Sequence, residues 1–419
     1  MALRPIPTDA APKPSPYRWV VLAVFTLANV AMQILWASYL AITGPAARSM
    51  GVSDSAVGLL SMVFMAAFVP LSFPVSWAID RYGFRLTVGA SAILMAAAGV
   101  ARGLCGNAYA PVLVCTIAIA AAQPAMLNAW TTVPAKWFPS GERATAVGAV
   151  TLGNLVGTGI GMALTPALVA SMPIPRIQLV YGAVAAASAA LFLLLAREAP
   201  PAPPDADGAA ARALVLDGLR HAVRVPSFVA YLAISFVGMG VFNGLATWIE
   251  PIFRPRGFSP EQAGDAGAVM LVGGVLGAVV LPVLSDRQRN RRRWLFVGLL
   301  GAVPWLLGVA CATAYREVLA SAFLFGFFLV GASPVGMQYA AEVTRPTPEG
   351  TSNGLIQLSG QVAVVLVYLM DAVRGESGSF VPSLLAMAGL LAASALLVLR
   401  LVEPARPPLP GPLPPALQG

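Results

Sequence analysis

Long apolar segments separated by short polar ones follow one another along almost the whole chain. Each apolar segment has roughly 20 residues, the length that an α-helix needs to cross the hydrocarbon core of a bilayer. The pattern therefore predicts twelve membrane-spanning helices, at about residues 19–46, 55–79, 85–103, 108–134, 143–170, 177–196, 226–252, 264–284, 294–313, 317–341, 351–373 and 380–402.

The composition is that of a chain surrounded by lipid. Hydrophobic residues make up 58% of the sequence and charged residues only 11%, whereas a soluble domain carries about 25% charged residues. The net charge of +8 does not indicate nucleic-acid binding, because the basic residues lie between the apolar segments without interleaved aromatic residues. Membrane lipid, and not nucleic acid, is the expected partner.

The polar segments divide the chain into five parts. We predict an N-terminal leader at 1–18, a six-helix bundle at 19–196, a linker at 197–225, a second six-helix bundle at 226–402 and a tail at 403–419. The linker carries prolines and charges and has room for a short amphipathic helix near 209–222. The tail is rich in proline and is predicted to be disordered. The first apolar segment is too long for a cleavable signal peptide and should remain as the first span.

The basic residues are unequally divided between the two ends of the predicted helices. All but seven of the 26 Lys and Arg residues lie on the side of the termini, and the exceptions are Arg48, Arg102, Arg176, Arg254, Arg256, Arg316 and Arg374. The positive-inside rule therefore predicts that both termini are cytoplasmic. The excess of arginine over lysine and the lack of glycosylation sequons favour a bacterial inner membrane. We expect a monomer.

The two halves share polar landmarks at an offset of about 206 residues. Asp80-Arg81 recurs as Asp286-Arg287, and Pro139 with Glu142 recurs as Pro346 with Glu349. These pairs predict a tandem repeat whose halves are related by a pseudo-twofold axis along the membrane normal.

A short motif, Asp80-Arg-Tyr-Gly-Phe-Arg85, fills the predicted loop between the second and third helices. Gly83 permits a tight turn, and the arginines suit helix C-termini and acidic partners. The motif resembles the loop signature of the major facilitator superfamily, apart from Ser76 and Phe84. The resemblance implies an all-α membrane protein with twelve transmembrane helices in two six-helix pseudo-symmetric bundles.

In that superfamily the loop is a cytoplasmic latch that stabilises the outward-open state. The resemblance assigns this role to Asp80, Arg81, Gly83 and Arg85, and a simple positive-inside anchor is the alternative. The second copy, from Asp286 to Arg293, has five arginines and no glycine turn. It is interpreted as an anchor to anionic lipid rather than a precise latch.

Small residues recur in the fifth predicted helix, from Gly153 to Gly161. Their spacing favours close helix packing. The segment overlaps the superfamily's antiporter signature, but Thr158 replaces its proline, so antiport does not follow.

A narrower resemblance is carried by four segments that lie in order along the chain. The segments Tyr17–Trp36, Leu59–Thr87, Gly153–Pro166 and Glu342–Leu355 are similar to the feline leukaemia virus subgroup C receptor-related transporters. That family is associated with choline, ethanolamine and haem, which become the expected classes of substrate.

The candidate binding residues are rings and amides at middle depth, where charged residues are nearly absent. The resemblance makes Trp36 one wall of an aromatic cage for a quaternary ammonium, with Gln123, Gln361 and Phe242 nearby. Asn243 departs from the family, which has a tyrosine there. For each amide alone, interhelical packing is an equally good interpretation. Five residues rank lower as cavity-lining candidates: Tyr39, Trp130, Trp248, Gln338 and Tyr339.

These observations predict a secondary transporter that moves a small organic solute by alternating access, with a choline-type amine as the leading candidate. The alternatives are an efflux pump for hydrophobic compounds and an exporter of haem-type tetrapyrroles. The sequence contains no Walker loop, zinc signature or Gly-x-Ser-x-Gly elbow, so neither ATP hydrolysis nor enzymatic activity is expected. No cofactor or metal is expected, and Cys105, Cys115 and Cys311 are interpreted as packing residues.

Overall fold

Twelve long helices account for most of the computed structural model, which describes residues 15–139, 142–201, 220–347, 349–374 and 378–403. Within these ranges, twelve helices are long and apolar enough to cross a membrane, which confirms the prediction. We number them span 1 to span 12: Arg18–Ala37, Asp54–Tyr82, Phe84–Leu104, Tyr109–Asn128, Arg143–Val169, Ile174–Leu195, Pro226–Thr247, Pro260–Gln288, Arg291–Cys311, Tyr315–Val343, Glu349–Val362 continued by Val364–Arg374, and Val381–Val398.

Two predicted segments are longer than the helices that they contain. Span 4 was predicted over 108–134 but ends at Asn128, and a separate short helix, Thr132–Trp137, follows it. Span 7 was predicted over 226–252 but ends at Thr247, and the short helix Ile249–Phe253 follows. Hydropathy extends across these breaks because most residues on both sides are apolar or uncharged.

Span 1 is interrupted near its end. The helix stops at Ala37, a 3-10 turn occupies Leu40–Ile42, and a further helix covers Thr43–Met50. The candidate residue Trp36 therefore lies in the last turn of the first helical piece.

Hydrogen bonds between helix ends define two faces of the bundle. Tyr17 bonds the carbonyl of Leu195, and Tyr339 bonds that of Val402, on what we call the termini side. Tyr109 bonds the carbonyl of Ala56, on what we call the far side. The odd-numbered spans start on the termini side and the even-numbered spans start on the far side, as twelve successive crossings require.

The two halves, spans 1–6 and spans 7–12, pack their helices in the same order. In the first half, span 1 packs on spans 5 and 6, span 3 on spans 4 and 6, and span 2 on span 4. In the second half, span 7 packs on spans 11 and 12, span 9 on spans 10 and 12, and span 8 on span 10. The correspondence of all five pairs agrees with the predicted tandem repeat.

Large apolar side chains remain exposed on the outside of the bundle. Leu194, Leu104 and Val114 are 78%, 71% and 66% exposed. A soluble monomer rarely leaves such a surface in contact with water, whereas in a bilayer these side chains contact lipid tails. The surface therefore belongs to a multi-pass membrane protein.

The glycines of span 5 make the close helix packing that the sequence predicted. A methyl group at Gly157 would lie 2.5 Å from the carbonyl oxygen of Val30 in span 1, and one at Gly161 would lie 2.6 Å from Cβ of Ala37. Neither position has room for a side chain, so these glycines set the distance between spans 1 and 5.

The two halves meet at the far side through equally close contacts. A methyl group at Gly264 of span 8 would lie 2.4 Å from the carbonyl oxygen of Met162 in span 5, and one at Gly58 of span 2 would lie 2.2 Å from the ring of Trp248.

Two predictions, the amphipathic helix near 209–222 and the disordered tail from 404, fall largely outside the described residues.

Candidate functional site

Trp36 lies at the junction of the two halves. Its side chain is partly buried and packs against the apolar cluster of the first half and against the cluster built mainly from the second half. The predicted place of this ring at middle depth, rather than in an interfacial belt, stays a prediction.

Phe242 of span 7 follows Trp36 by 206 residues, the offset that relates the two halves, and Asn243 is the next residue. Phe242 is partly buried against the same cluster as Trp36, and Asn243 is buried. Gln361 belongs to span 11, whose Gly360 approaches Met239 of span 7, so that a methyl group there would lie 3.1 Å from Met239 Cγ. Phe242 and Asn243 therefore belong to a helix that packs directly against the helix of Gln361.

Two of the predicted amides have an unsatisfied oxygen. Gln123 and Gln361 are only 5% and 8% exposed, and the Oε1 atom of each is buried without a hydrogen-bond partner. Leaving a buried acceptor unpaired costs about 1–3 kcal/mol, and most buried polar atoms are paired. One of these two oxygens lies in each half, and Asn29 Oδ1 and Gln33 Oε1 of the first half are unpaired in the same way.

The lower-ranked candidates fall into different environments. Trp248 is fully buried, donates to the carbonyl of Val367 at 3.0 Å and packs against Gly58 of the first half. Tyr339 is buried and donates to Val402, whereas Gln338 is exposed and donates to Glu342 at 3.2 Å. These three side chains have structural partners in this conformation.

Tyr39 and Trp130 also have partners in the first half. The ring of Tyr39 is buried and lies 5.4 Å from the guanidinium carbon of Arg102. Trp130 is partly buried, and its indole nitrogen donates to the carbonyl of Val147 at 3.4 Å.

An amide pair in the first half escaped the sequence analysis. Gln33 of span 1 donates to the Oδ1 atom of Asn154 in span 5 at 2.8 Å. Asn154 is buried at the position that corresponds to Gln361 in the tandem repeat. Asn154 precedes Gln361 by 207 residues, close to the offset of the repeat, so the sequence contains a sign that the two are equivalent. The glycines around Asn154 favour an interpretation based on helix packing alone.

Arg102 is counted with the far-side charges at the end of the third predicted helix, 85–103, and its burial was not predicted. It lies inside span 3, is 1% exposed, and its Nη2 donates to the Leu35 carbonyl at 3.1 Å, to Ser38 Oγ at 3.2 Å and to Gln178 Oε1 at 2.7 Å. Leu35 and Ser38 flank the end of the first helix of span 1, where carbonyls lack intrahelical partners and a cation is favoured. Arg102 therefore caps the helix that carries Trp36.

An ion-pair network joins the two halves at the far side. Arg254 Nη1 lies 2.9 Å from Asp54 Oδ2 at the start of span 2, and Arg254 Nε lies 2.8 Å from Glu250 Oε1. Glu250, only 3% exposed, also accepts a bond of 2.9 Å from the backbone amide of Gly44. Arg374 Nη1 lies 3.7 Å from the same Asp54 carboxylate. The network therefore links the two halves on the far side.

The charge of Arg254 is secured by this network. The hydrogen bond to Glu250, followed by the contacts with Asp54, raises the pKa of Arg254 despite its partial burial. Because the pKa is raised, Arg254 keeps its proton until the pH rises above the ordinary arginine range, so the basic limit of the stabilisation lies in strong base. Near neutral pH the network does not lose its cation.

The predicted latch residues surround a tight turn on the termini side. Gly83 has a φ of +86°, and a methyl group there would lie 2.5 Å from the carboxylate carbon of Glu198. Glu198 accepts the backbone amide of Arg85 at 2.7 Å, whereas the side chains of Asp80, Arg81 and Arg85 are exposed. The turn is thus fixed by Glu198, and the latch role of the four residues stays a prediction.

The second copy of the motif is more ordered than the sequence suggested. Arg291 pairs with Asp286 and, at 3.1 Å, with Glu342. Glu403 accepts the backbone amides of Arg291 at 2.6 Å and Arg292 at 3.0 Å. The interpretation as a lipid anchor alone is therefore wrong for Arg291, whose side chain is engaged within its own half. The other arginines of the motif that remain exposed are Arg287, Arg289 and Arg293.

Comparison with known families agrees with this architecture. The Major Facilitator Superfamily model matches residues 19–259 and 250–418, which together include all twelve spans. The chain belongs to the Major Facilitator Superfamily. It is a secondary transporter with a transport role rather than an enzymatic one, and its twelve helices form the two-bundle fold of that superfamily.

Named relatives share most of the chain. It is 32% identical over 390 residues to solute carrier family 49 member A3 of Danio rerio, covering 88% of this chain and 81% of the relative. It is 28% identical over 376 residues to the human choline/ethanolamine transporter FLVCR2, covering 84% of this chain and 70% of the relative. The family resemblance inferred from the four sequence segments is thereby confirmed.

Solved structures show the same fold at low sequence identity. A bacterial homologue of the human lysosomal transporter Spinster aligns with a TM-score of 0.76 at 18% identity, covering 92% of this chain and 96% of that one. A D-xylose–proton symporter aligns with a TM-score of 0.70 at 16% identity, covering 92% of this chain and 98% of that one.

Proposed function

We propose that the protein carries a small organic amine of the choline or ethanolamine type across the membrane by alternating access. The unpaired carbonyl oxygens of Gln123 and Gln361 carry this proposal, because a hydroxyl or amine group of such a solute would satisfy them. The relatives named as choline/ethanolamine transporters, at 28% identity, support the same class of solute.

The chemistry of the candidate site suits a cation without requiring a fixed negative charge. The Trp36 ring offers a cation–π contact, worth about 2 kcal/mol when desolvated, and the amide oxygens offer dipoles. Asn243, where the related family has a tyrosine, replaces one ring by an amide. This change favours a solute with a hydrogen-bonding group over one recognised by aromatic rings alone.

Alternating access would depend on the ion pairs and the helix packing that join the two halves on the far side. In this conformation the far side is closed by the ion pairs of Asp54 and Arg254 and by the packing of span 5 on span 8. The proposed site would then exchange solute with the termini side, and breaking the far-side network would open the other end. The turn around Gly83 would act as the opposing latch.

The proposed setting is a bacterial inner membrane with both termini in the cytoplasm and the protein acting as a monomer. The uneven division of lysine and arginine between the two sides supports this orientation. Under it, the termini side is the cytoplasmic side and the far side is the periplasmic side.

Uptake into proteoliposomes tests the proposed substrate. Vesicles containing the purified protein should accumulate labelled choline or ethanolamine, with each amine competing against the other. Uptake that ignores both amines but is inhibited by lipophilic cations would instead support efflux of hydrophobic compounds. Uptake or binding of haem alone would support the tetrapyrrole alternative.

The role of Trp36 is tested by Trp36→Ala in the same assay. Loss of the ring should weaken amine affinity by about 10-fold to 30-fold, corresponding to about 2 kcal/mol, while expression is retained. Trp19→Ala is the matched control, because Trp19 lies at the opposite end of the same helix and contacts Phe138. Equal affinity in the two variants would remove Trp36 from the site.

A further inference from the structure

Two of the three cysteines lie side by side on the far side of the first half. Cys105 follows the last residue of span 3, and Cys115 lies in the second turn of span 4. Their Sγ atoms are 3.8 Å apart, and both side chains are partly exposed. The sequence favours packing roles for the cysteines, and the structure adds that these two sulfurs are in contact.

The pair is held together by the hairpin between spans 3 and 4. Cys105 receives the backbone amide of Ala108 at 3.4 Å, and Ala108 in turn receives that of Val112 at 3.2 Å. Cys105 also packs against the far-side apolar cluster that contains Val112. The two thiols therefore face each other across a short, ordered turn.

The separation is small enough for a covalent bond. A disulfide requires its sulfurs about 2.05 Å apart, so the present separation of 3.8 Å must shorten by about 1.8 Å. Rotation of each side chain about its Cα–Cβ bond moves the sulfur, and bond formation would require these rotations to bring the two sulfurs together.

We propose that Cys105 and Cys115 form a disulfide bond that ties the far-side ends of spans 3 and 4. The proposal rests on the proposed orientation, which exposes the far side to the periplasm, where disulfides form and persist. The oxidant is a disulfide of the dithiol–disulfide exchange class. The two thiols lose two electrons and two protons and become one S–S bond, and the oxidant's disulfide is reduced to two thiols.

Cys311 provides a control within the chain. It ends span 9 on the same far side and is exposed. Among the described residues, its sulfur makes no contact with another cysteine sulfur like that between Cys105 and Cys115. It should remain a free thiol under conditions in which Cys105 and Cys115 are oxidised.

Counting free thiols by intact mass tests the bond. Protein extracted from membranes without reductant is denatured and alkylated with N-ethylmaleimide, with and without prior reduction. We expect one alkylated cysteine before reduction and three after it. Cys311→Ser should give none before reduction and two after it, and Cys115→Ser should give two in both cases.

Two further measurements separate this proposal from the proposed orientation. Cys311 in intact cells should react with a membrane-impermeant maleimide, and failure of that reaction would reject the orientation. Purified, reduced protein treated with glutathione disulfide should form the Cys105–Cys115 bond whatever the orientation. Three free thiols after that treatment would overturn the proposed bond.

The bond should also change thermal stability in a way that reduction reverses. By closing a loop in the unfolded chain, it should raise the melting temperature by about 2–5 °C relative to Cys115→Ser. The difference should disappear when both proteins are reduced. An equal melting temperature before reduction, with three alkylated thiols, would reject the disulfide.

Discussion

Glu198 and Glu403 hold equivalent places in the two halves of the transporter. Glu198, after span 6, accepts the backbone amides of Phe84 and Arg85 at the start of span 3. Glu403, after span 12, accepts those of Arg291 and Arg292 at the start of span 9. Each carboxylate satisfies amides that a helix N-terminus leaves unpaired, and its charge is favoured by the helix dipole.

Replacing either glutamate should loosen the termini side of its own half. Glu198→Gln keeps the shape of the side chain but removes the negative charge that also pairs with Lys136. We expect a loss of about 1 kcal/mol in stability, measured as a lower melting temperature in detergent, with Glu403→Gln giving a similar loss.

Glu317→Gln is the control for these two variants. Glu317 also lies in the first turn of a helix, span 10, but its side chain is exposed. Its replacement should change the melting temperature less than either of the other two. An equal effect of all three would mean that the backbone bonds of Glu198 and Glu403 contribute little.

Two glycines of span 5 offer a matched test of helix packing. Gly157→Ala would place a methyl group 2.5 Å from the Val30 carbonyl oxygen, and such overpacking costs about 1–3 kcal/mol. Gly148 lies on the same helix with open space around it, so Gly148→Ala should be neutral or stabilise the helix by about 0.5–1 kcal/mol. Melting temperatures that shift in the same direction would contradict this account.

The far-side network should control the distance between the halves. Arg254→Gln removes the cation shared by Asp54 and Glu250 and leaves the buried Glu250 carboxylate without it. Because Arg254 is itself 36% exposed, we expect a loss of only about 1–2 kcal/mol of closed-state stability. That loss corresponds to a roughly 5-fold to 30-fold shift toward the far-side-open state.

Spin labels on the far side measure this shift. Labels at Cys311 and at Ser171→Cys, in a background of Cys105→Ser and Cys115→Ser, report one distance across the boundary between the halves. Arg254→Gln should add a population at longer distance, and Arg316→Gln, an exposed change on the same face, should not. An unchanged distribution in Arg254→Gln would show that packing alone closes the far side.

The sequence predicts the spans well, because a bilayer imposes both their length and their apolar composition. It also predicts the repeat, since Asp80 and Asp286 mark matching loops. Hydropathy does not reveal which way a side chain points from a helix that is apolar on every face. That is why Gln123 and Gln361 were recognised as polar residues at depth, while their unpaired oxygens became visible only in the fold.

Tertiary partners distant in the chain were beyond the reach of the sequence analysis. In the positive-inside count Arg102 is a far-side charge, because it lies near the end of the third predicted helix, three residues before Cys105. Its acceptors Leu35 and Gln178 come from spans 1 and 6, and only their convergence makes burial of the guanidinium tolerable. Glu198 was likewise assigned to the linker, although it closes the turn at Gly83.

The buried guanidinium of Arg102 has a consequence for how the protein is made. Spans are synthesised in chain order, so Arg102 enters the bilayer when Leu35 and Ser38 are already present and Gln178 has not yet been translated. Until span 6 is inserted, Arg102 in span 3 has not yet formed its shortest hydrogen bond, the one to Gln178. The N-terminal bundle therefore completes its assembly only after its last helix is inserted, and the nascent chain must shelter one arginine during that interval.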